Sequence, residues 1–299
     1  MAIAIVLVST ASCSRKQPAP PAPPEPAPAP ANESAPQTFK GAVDFHGVHF
    51  TNDESVFSDV AAEMVPATPL EDPEDKPDDN WPEHVRFSLS PAREPKHETF
   101  FEPEIRVVSI SDYKEAFQVE PRYVETMETD IDRLKKLITN PSSYIPAKLH
   151  WFEDSTSGGD TGGIPFLPFV DASQVFAVHV TRVDFNGGSG LAFVTQYDIE
   201  PSLVNNAALT WIFQGFTSDG EKYIVATFPI RSSILAETGS QEEGHRGYKP
   251  GDFSRVAAQK ALYAYVESVR SDLERLPANQ FEPDLSSLEK LIRGIRIDR

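Results

Sequence analysis

Four apolar runs separated by tight-turn sequences constrain the fold more than any other feature of this chain. They lie between Val175 and Ile230. Asn186-Gly187 separates the first two runs, and Asp219-Gly220 lies between the last two. Both dipeptides favour the positive φ angles of a hairpin turn, so each pair of runs should form a hairpin. The region therefore predicts an antiparallel β-meander.

Both faces of the predicted meander are apolar. Side chains alternate along a strand, so Trp211 and Ile212 should lie on opposite faces, as should Tyr223 and Ile224. A sheet that is apolar on both sides has to be covered on both sides. Shorter apolar runs predict three further strands earlier in the chain, at 43–50, 85–89 and 105–110.

Amphipathic segments supply candidate cover for this sheet. In residues 121–138, apolar side chains recur three and four positions apart, which predicts a helix that stops at Asn140-Pro141. The same spacing predicts one helix from about Asp252 to Pro277 and another from about Asp284. The apolar faces of these helices could also form a coiled-coil surface. Because each face is only two or three heptads long, packing on the chain's own sheet is favoured. The predicted fold class is α+β, an antiparallel meander packed by amphipathic helices.

The N-terminal segment has the features of an export signal. Residues 2–8 are apolar, and they are followed by the small residues 9–12 and by Cys13. A transmembrane helix needs about 20 apolar residues, so this run is too short to cross a bilayer. A short apolar run before small residues is typical of a cleavable signal, which is predicted at residues 1–12.

Cys13 is the single cysteine of the chain and cannot form an internal disulfide. The order Thr10-Ala11-Ser12-Cys13 resembles the lipobox of bacterial lipoproteins, although leucine is usual where Thr10 stands and no basic residue precedes Cys13. The resemblance implies cleavage before Cys13 and lipid attachment to it. Because Ser14 is not aspartate, it further implies an outer-membrane location in a Gram-negative source. The alternative is an incidental thiol in a disordered tail.

Residues 13–38 form a linker rich in proline and alanine. Nine prolines lie between Pro18 and Pro36, with no large apolar residue among them. Because proline fixes φ and removes backbone donors, the segment predicts an extended, disordered stalk that reaches at most about 80 Å. A PxxP recognition motif would use the same conformation. A single α+β domain is expected in residues 39–299.

The acidic balance of the chain excludes some partners. It contains 27 basic and 45 acidic residues, which give a formal net charge of −18. Nucleic acids and anionic membrane faces are bound through clustered lysine and arginine, so neither is expected as a partner. The expected partners are the membrane, reached through the lipid on Cys13, and a protein of the cell envelope.

No metal or cofactor site is predicted. With one cysteine, thiolate zinc and iron–sulfur sites are excluded. His46 and His49 lie three positions apart, which puts them on opposite faces of a strand. The acidic loop 71–79 offers oxygen ligands for calcium, but it lacks the alternation and the central glycine of an EF-hand loop. Glycine-rich phosphate-binding and dinucleotide-binding motifs are absent from the sequence.

Sequence motifs for catalysis are weak. Residues 187–191 read Gly-Gly-Ser-Gly-Leu, with leucine in place of the final glycine of a GxSxG motif, and they lie at a predicted hairpin turn. A carboxylate pair for glycoside hydrolysis depends on tertiary geometry, which a sequence does not give. An envelope hydrolase that acts on glycan or peptide through paired carboxylates is therefore the alternative function.

Aromatic side chains beside loops are the candidate contact residues, because their rings are enriched at interfaces. The sequence predicts ligand or partner contact at Trp81, Trp151, Phe166, Phe169 and Phe216.

Several short motifs follow one another along the chain, at 45–50, 165–168, 172–176, 195–197 and 213–220. With this series the chain resembles a group of uncharacterised bacterial exported proteins and lipoproteins. The resemblance implies an envelope location and no particular activity. The expected function is that of a lipid-anchored, extracytoplasmic binding or interaction module without catalysis.

Overall fold

The computed structural model describes residues 35–74, 80–93, 97–146, 162–167, 170, 172–239, 244–251 and 253–298. The predicted signal, the predicted lipid site Cys13 and most of the predicted linker lie outside the described residues. Ala35–Arg299 belongs to one compact unit. Its first strand begins at Gln37, inside the segment that the sequence assigns to the linker.

Thirteen strands and four α-helices occur in the part of the chain that the structure describes. The strands are β1 (Gln37–Phe39), β2 (Ala42–Phe45), β3 (Val48–Thr51), β4 (Phe57–Val65), β5 (His84–Pro91), β6 (Glu104–Ser109), β7 (Ser173–Phe185), β8 (Gly188–Asp198), β9 (Thr210–Thr217), β10 (Lys222–Pro229), β11 (Arg231–Ser232), β12 (Phe281–Glu282) and β13 (Arg296–Ile297). The helices are α1 (Ile110–Glu115), α2 (Pro121–Thr139), α3 (Val256–Arg275) and α4 (Leu285–Arg293).

One antiparallel sheet carries most of these strands. Its eight described strands follow the order β1-β4-β5-β6-β10-β9-β8-β7. β2, β3 and β13 form a small second sheet, and β11 pairs with β12. Hairpins join β7 to β8 and β9 to β10, with Phe185 opposite Gly188 and Phe216 opposite Tyr223. The predicted meander and the predicted α+β class are confirmed.

Each face of the large sheet is buried in its own hydrophobic core. The first core contains Trp211 and Ile224 and is covered by α3 and α4, which contact β7. The second core contains Ile212 and Tyr223 and is covered by α2, which contacts β8. The alternation predicted for the third and fourth runs is therefore confirmed, and helices cover both faces.

The predicted helices are present, and α2 and α4 begin where they were predicted. α4 begins after Asp284, whose carboxylate accepts a hydrogen bond from the Ser286 N–H at 2.8 Å. α3 begins at Val256 rather than near Asp252, which lies outside the described residues. None of the helices in the described ranges has the length and the apolar character needed to cross a bilayer.

The prediction of a single strand over 43–50 is wrong. β2 and β3 form a hairpin there, and its turn has His46 at φ 47° and Gly47 at φ 75°. Two consecutive left-handed residues reverse the chain, although the apolar residues on either side read as one run. β4 has no clear signal in the sequence, because a bulge between Phe57 and Asp59 interrupts its alternation.

Candidate functional site

A cleft of about 1330 Å³ lies at one end of the large sheet. Its lining comes from residues 55–58 at the start of β4, 88–93 at the end of β5, 206–207, 229–237 around β11, and 279–284 around β12. Exposed side chains such as Ser233 are part of this lining, so the cleft is open to solvent. A concavity of this size is the expected place for a ligand.

The base of the cleft is continuous with the first core. Five buried side chains belong to both the lining and that core, and they are Phe57, Leu89, Ile230, Leu235 and Phe281. Interiors of proteins are close-packed, so a base made of core residues is rigid. The cleft is therefore a preformed feature of the fold.

Hydroxyl and amide side chains line much of the cleft. They are Ser55, Ser58, Ser88, Ser90, Thr99, Asn206, Ser232, Ser233, Asn279 and Gln280. Asp59 orients two of them, because its carboxylate accepts hydrogen bonds from Ser90 Oγ at 2.7 Å and Ser58 Oγ at 2.9 Å. These two hydrogen bonds lower the pKa of Asp59. The carboxylate therefore stays ionised and keeps both hydroxyls fixed.

Two arginine–glutamate ion pairs belong to the lining. Arg231 Nη2 donates to both carboxylate oxygens of Glu237, at 2.6 and 2.5 Å. Arg93 Nη1 donates to Glu282 Oε1 at 2.6 Å. The two pairs add no net charge to the cleft. Glu102 and Asp284 also line it, so four carboxylates face two arginines.

Ser232 is a buried hydroxyl in the lining, with 3% of its surface exposed. Its N–H donates to Asn206 Oδ1 at 2.8 Å. Its Oγ has no hydrogen-bond partner among the described residues. A buried polar atom without a partner costs free energy, and Ser232 Oγ itself is closed off from solvent.

A network of polar side chains holds the loop that carries Asn206. Gln196 Nε2 donates to Asp198 Oδ2 at 2.7 Å, and Gln196 Oε1 accepts from the Asn205 N–H at 3.1 Å. Ser202 Oγ also donates to Asp198 Oδ2, at 2.7 Å. Burial raises the pKa of Asp198 to about 6, against the lowering effect of these two donors. The network fixes the chain on one side of the cleft.

One exposed aromatic residue, Phe100, lies next to the cleft on that side. Phe100 is 42% exposed, and its N–H donates to the carbonyl of Ala207, a lining residue, at 3.2 Å. The Phe101 ring lies 4.9 Å from that of Phe100, 5.5 Å from Phe166 and 5.9 Å from Tyr197. Tyr197 belongs to the second core, and Phe101 and Phe166 pack against it, on the other face of the sheet from the base of the cleft. Together with Phe100 they are called the rim cluster below.

Buried polar side chains of the large sheet hold Phe166 in the rim cluster. Gln214 Nε2 donates to the Pro165 carbonyl at 2.8 Å, and Gln214 Oε1 accepts from the Leu167 N–H at 3.0 Å. Tyr223 donates its hydroxyl to the Leu167 carbonyl. The backbone on both sides of Phe166 is thus hydrogen-bonded to the sheet. Its ring packs against Phe101 and Tyr197 in the rim cluster.

Two of the predicted contact residues are packed inside the second core. Trp81 is 9% exposed and stacks on Tyr113 with ring centroids 5.8 Å apart. Phe216 is 6% exposed and contacts the Tyr223 ring at 5.5 Å. Both rings are used for packing, and little of either surface is left for a ligand.

The other three predicted contact residues are not packed inside the second core in the same way as Trp81 and Phe216, or they lie outside the described residues. Phe166 is half-buried in the rim cluster and packs against the second core. Trp151, Phe169 and the predicted lipid site Cys13 lie outside the described residues. Contact between Phe166 and a ligand or partner stays a prediction.

Most lining residues of the cleft give no signal in the sequence. They come from separate stretches between residues 55 and 284, and serine and asparagine at strand ends read as turn residues. Arg231 and Glu237, six positions apart, are the one close pair of opposite charges that an inspection of the sequence could have singled out.

Among the described residues there is no metal-binding cluster, and the GxSxG-like sequence does not form a nucleophile elbow. No group of three or more histidine, cysteine, aspartate or glutamate side chains within the described ranges is arranged to hold a metal ion. Ser189, the centre of the GxSxG-like sequence, pairs with Asp184 and Phe216 as an ordinary strand residue. A nucleophile elbow needs a sharp strand-to-helix turn, which is not the setting of Ser189.

The fold and the cleft define an α+β protein that presents an open polar cleft at the end of an antiparallel sheet. No protein-family model, curated protein or solved structure matches the chain. The chemistry of the cleft and the N-terminal sequence are therefore the observations that bear on function.

Proposed function

We propose that this protein is a lipid-anchored, extracytoplasmic module of the cell envelope that binds its ligand or partner in the cleft, without catalysis. The cleft carries the proposal, because it combines a volume of about 1330 Å³ with hydroxyl, amide and ion-paired side chains. Such groups orient a ligand through hydrogen bonds. The lipobox-like sequence at Cys13 supports the envelope location, and the stalk would let the domain reach up to about 80 Å from the membrane.

The alternative function, hydrolysis through paired carboxylates, finds less support in the cleft. A glycosidase needs two carboxyl groups about 5–10 Å apart, one of which donates a proton to the leaving group. Four carboxylates line the cleft. Glu237 and Glu282 each accept hydrogen bonds from an arginine, Asp284 accepts one from the Ser286 N–H as the cap of α4, and Glu102 is exposed. Asp198, whose pKa burial raises to about 6, does not belong to the lining. The side chains of the cleft therefore suit binding better than hydrolysis.

Photo-cross-linking from the cleft tests the binding function. We expect benzoylphenylalanine at the exposed lining position of Ser233 to form a covalent adduct of discrete mass in native cells, because a bound partner would lie within its reach. The same residue at Ser268, exposed on α3 outside the lining, is the matched control and should form none. Failure to form a specific adduct from position 233 would contradict the proposal.

The lipid anchor is tested separately by Cys13→Ala in the full chain. Without the thiol no lipid can be attached, and lipid chains contribute about 0.8 kcal/mol of membrane binding per buried CH₂. We expect the variant to move from the membrane fraction to the soluble fraction of the envelope. Unchanged membrane association, measured by cell fractionation, would show that Cys13 is an incidental thiol.

A further inference from the structure

We infer that the cleft binds an uncharged, hydroxyl-rich oligosaccharide. This inference rests on the proposed binding function and narrows it to one class of ligand. The balance of charge, the hydrogen-bonding groups of the lining and an exposed aromatic ring at the border carry the argument.

The charge of the lining argues against an anionic ligand. Recognition of phosphate or carboxylate uses arginine as a bidentate fork, which has to be free to donate to the ligand. Arg231 gives two such hydrogen bonds to Glu237, and Arg93 is bound to Glu282. The four carboxylates of the lining, those of Glu102, Glu237, Glu282 and Asp284, outnumber its two arginines, so an anion would be repelled. An uncharged ligand meets no such repulsion.

The lining offers groups that can both donate and accept. Serine and threonine hydroxyls and the amides of asparagine and glutamine have this double capacity, and so do the hydroxyls of a sugar. Asp59 holds Ser58 and Ser90 in fixed positions, which reduces the entropy lost on binding. The hydroxyls of Ser55, Ser58, Ser90 and Thr99 already donate to oxygen atoms of the protein, so they can accept from a ligand, and the hydroxyls of a sugar supply the donors.

A peptide is less well matched to this cleft. Extended peptides bind by adding a strand to a free sheet edge. β5, which contributes residues 88–91 to the lining, lies inside the sheet with β4 on one side and β6 on the other. β11, the other strand at the centre of the lining, pairs with β12. β5 therefore has no free edge, and β11 is only two residues long, with its Ser232 N–H bound to Asn206, so neither strand can take up a peptide strand.

Phe100 lies next to the lining without being part of it, and it is the exposed aromatic ring from which we expect an apolar contact to a sugar. One face of a pyranose carries mostly C–H groups and packs on the face of an aromatic ring. Phe100 is 42% exposed, and its backbone is bonded to Ala207 at the cleft. Phe101 contacts it edge-to-face, with ring planes at 71°, and so restricts its orientation. The ring is both exposed and held in place.

The size of the cleft indicates several sugar units. Pockets for small ligands are typically about 300–1,000 Å³. The volume here, about 1330 Å³, exceeds that range. An extended oligosaccharide would fill the space better than a single monosaccharide.

Calorimetric titration of the purified full chain tests this inference with three uncharged probes, namely N-acetylchitotetraose, maltotetraose and N-acetyl-tetra-alanine amide. We expect at least one of the oligosaccharides to bind, and Ser233→Trp to abolish the binding by filling the cleft. Phe100→Ala should weaken it about tenfold, and Phe100→Tyr should retain it because the aromatic face is kept. Val119→Ala removes an apolar side chain of similar exposure, 40%, outside the lining and should leave the affinity unchanged.

The outcomes separate the ligand class from the binding function. If only the peptide binds, and Ser233→Trp abolishes that binding, the cleft is a binding site but the oligosaccharide inference is wrong. If an oligosaccharide binds equally well to Ser233→Trp and Phe100→Ala, it binds elsewhere and the inference is overturned. Binding by none of the three probes also overturns it, while the adduct from position 233 in cells independently decides whether the cleft binds anything.

Discussion

At the scale of single residues, two buried titratable groups respond to pH in opposite directions. Burial lowers the pKa of His84 from 6.5 to about 4, and it raises the pKa of Asp198 from 3.8 to about 6. The stability that neutral His84 contributes is complete above pH 6.5 and is lost as the pH falls towards 4. The ionisation of Asp198 instead reduces stability as the pH rises from about 4 to about 6.

We therefore expect Asp198→Asn to stabilise the fold at neutral pH. An asparagine oxygen can still accept the hydrogen bonds from Gln196 and Ser202, and no buried charge has to be maintained. The Tm should rise by about 5 °C at pH 7.5 and by about 1 °C or less at pH 4, since the carboxyl is already protonated there. Thermal unfolding followed by circular dichroism at both pH values measures this difference.

Asp132→Asn is the matched control, because Asp132 is exposed on α2. It should change the Tm by the same small amount at both pH values. If Asp198→Asn lowers the Tm at pH 7.5, Asp198 contributes to stability as an ionised group and the sign of its effect is the reverse of that argued above.

At the scale of elements, the pairing of β8 with β9 depends on a site that only glycine can occupy. Gly190 faces Gly215 across the two strands. A Cβ atom at Gly190 would lie 2.4 Å from the Phe213 ring and 2.4 Å from the Gln214 carbonyl oxygen. Glycine normally weakens a strand, and here it allows the Phe213 ring to pack directly on the backbone.

Gly190→Ala should therefore destabilise the protein, by about 2 kcal/mol, because the ring and the strand have to move apart. Gly251→Ala is the matched control, since a Cβ there meets only the Ala258 Cβ, at an ordinary 3.6 Å. Urea denaturation gives both free energies of unfolding. Equal stability of the two variants would mean that the β8–β9 pairing tolerates a side chain at position 190.

Local patterns were enough to predict the central elements. The Asn186-Gly187 turn, the alternation around Trp211 and the spacing of apolar residues in α2 each involve residues close in sequence. Such features act through short-range geometry, so the sequence alone specifies them. The break of 43–50 at His46 and Gly47 was not predicted, because a left-handed histidine has no strong local signal.

At the scale of the whole molecule, the cleft could not be predicted from the sequence. It exists because the end of β5, the β11–β12 pair and the loop at Asn206 meet in space. The predicted contact residues Trp81 and Phe216 lie instead in the second core, where the topology of the sheet buries them. Long-range contacts decide which aromatic rings reach the surface. The exposure of the Phe100 ring likewise depends on how the neighbouring residues pack.

The central claim, that the cleft is occupied in the envelope, is tested most directly by amide hydrogen exchange. The full chain is compared in isolated native membranes and after purification in detergent. We expect slower exchange in the membranes at residues 88–93 and 229–235, which line the cleft, and equal exchange in α3, outside it. Equal exchange of the cleft segments in both samples would contradict the claim that the cleft binds an envelope component.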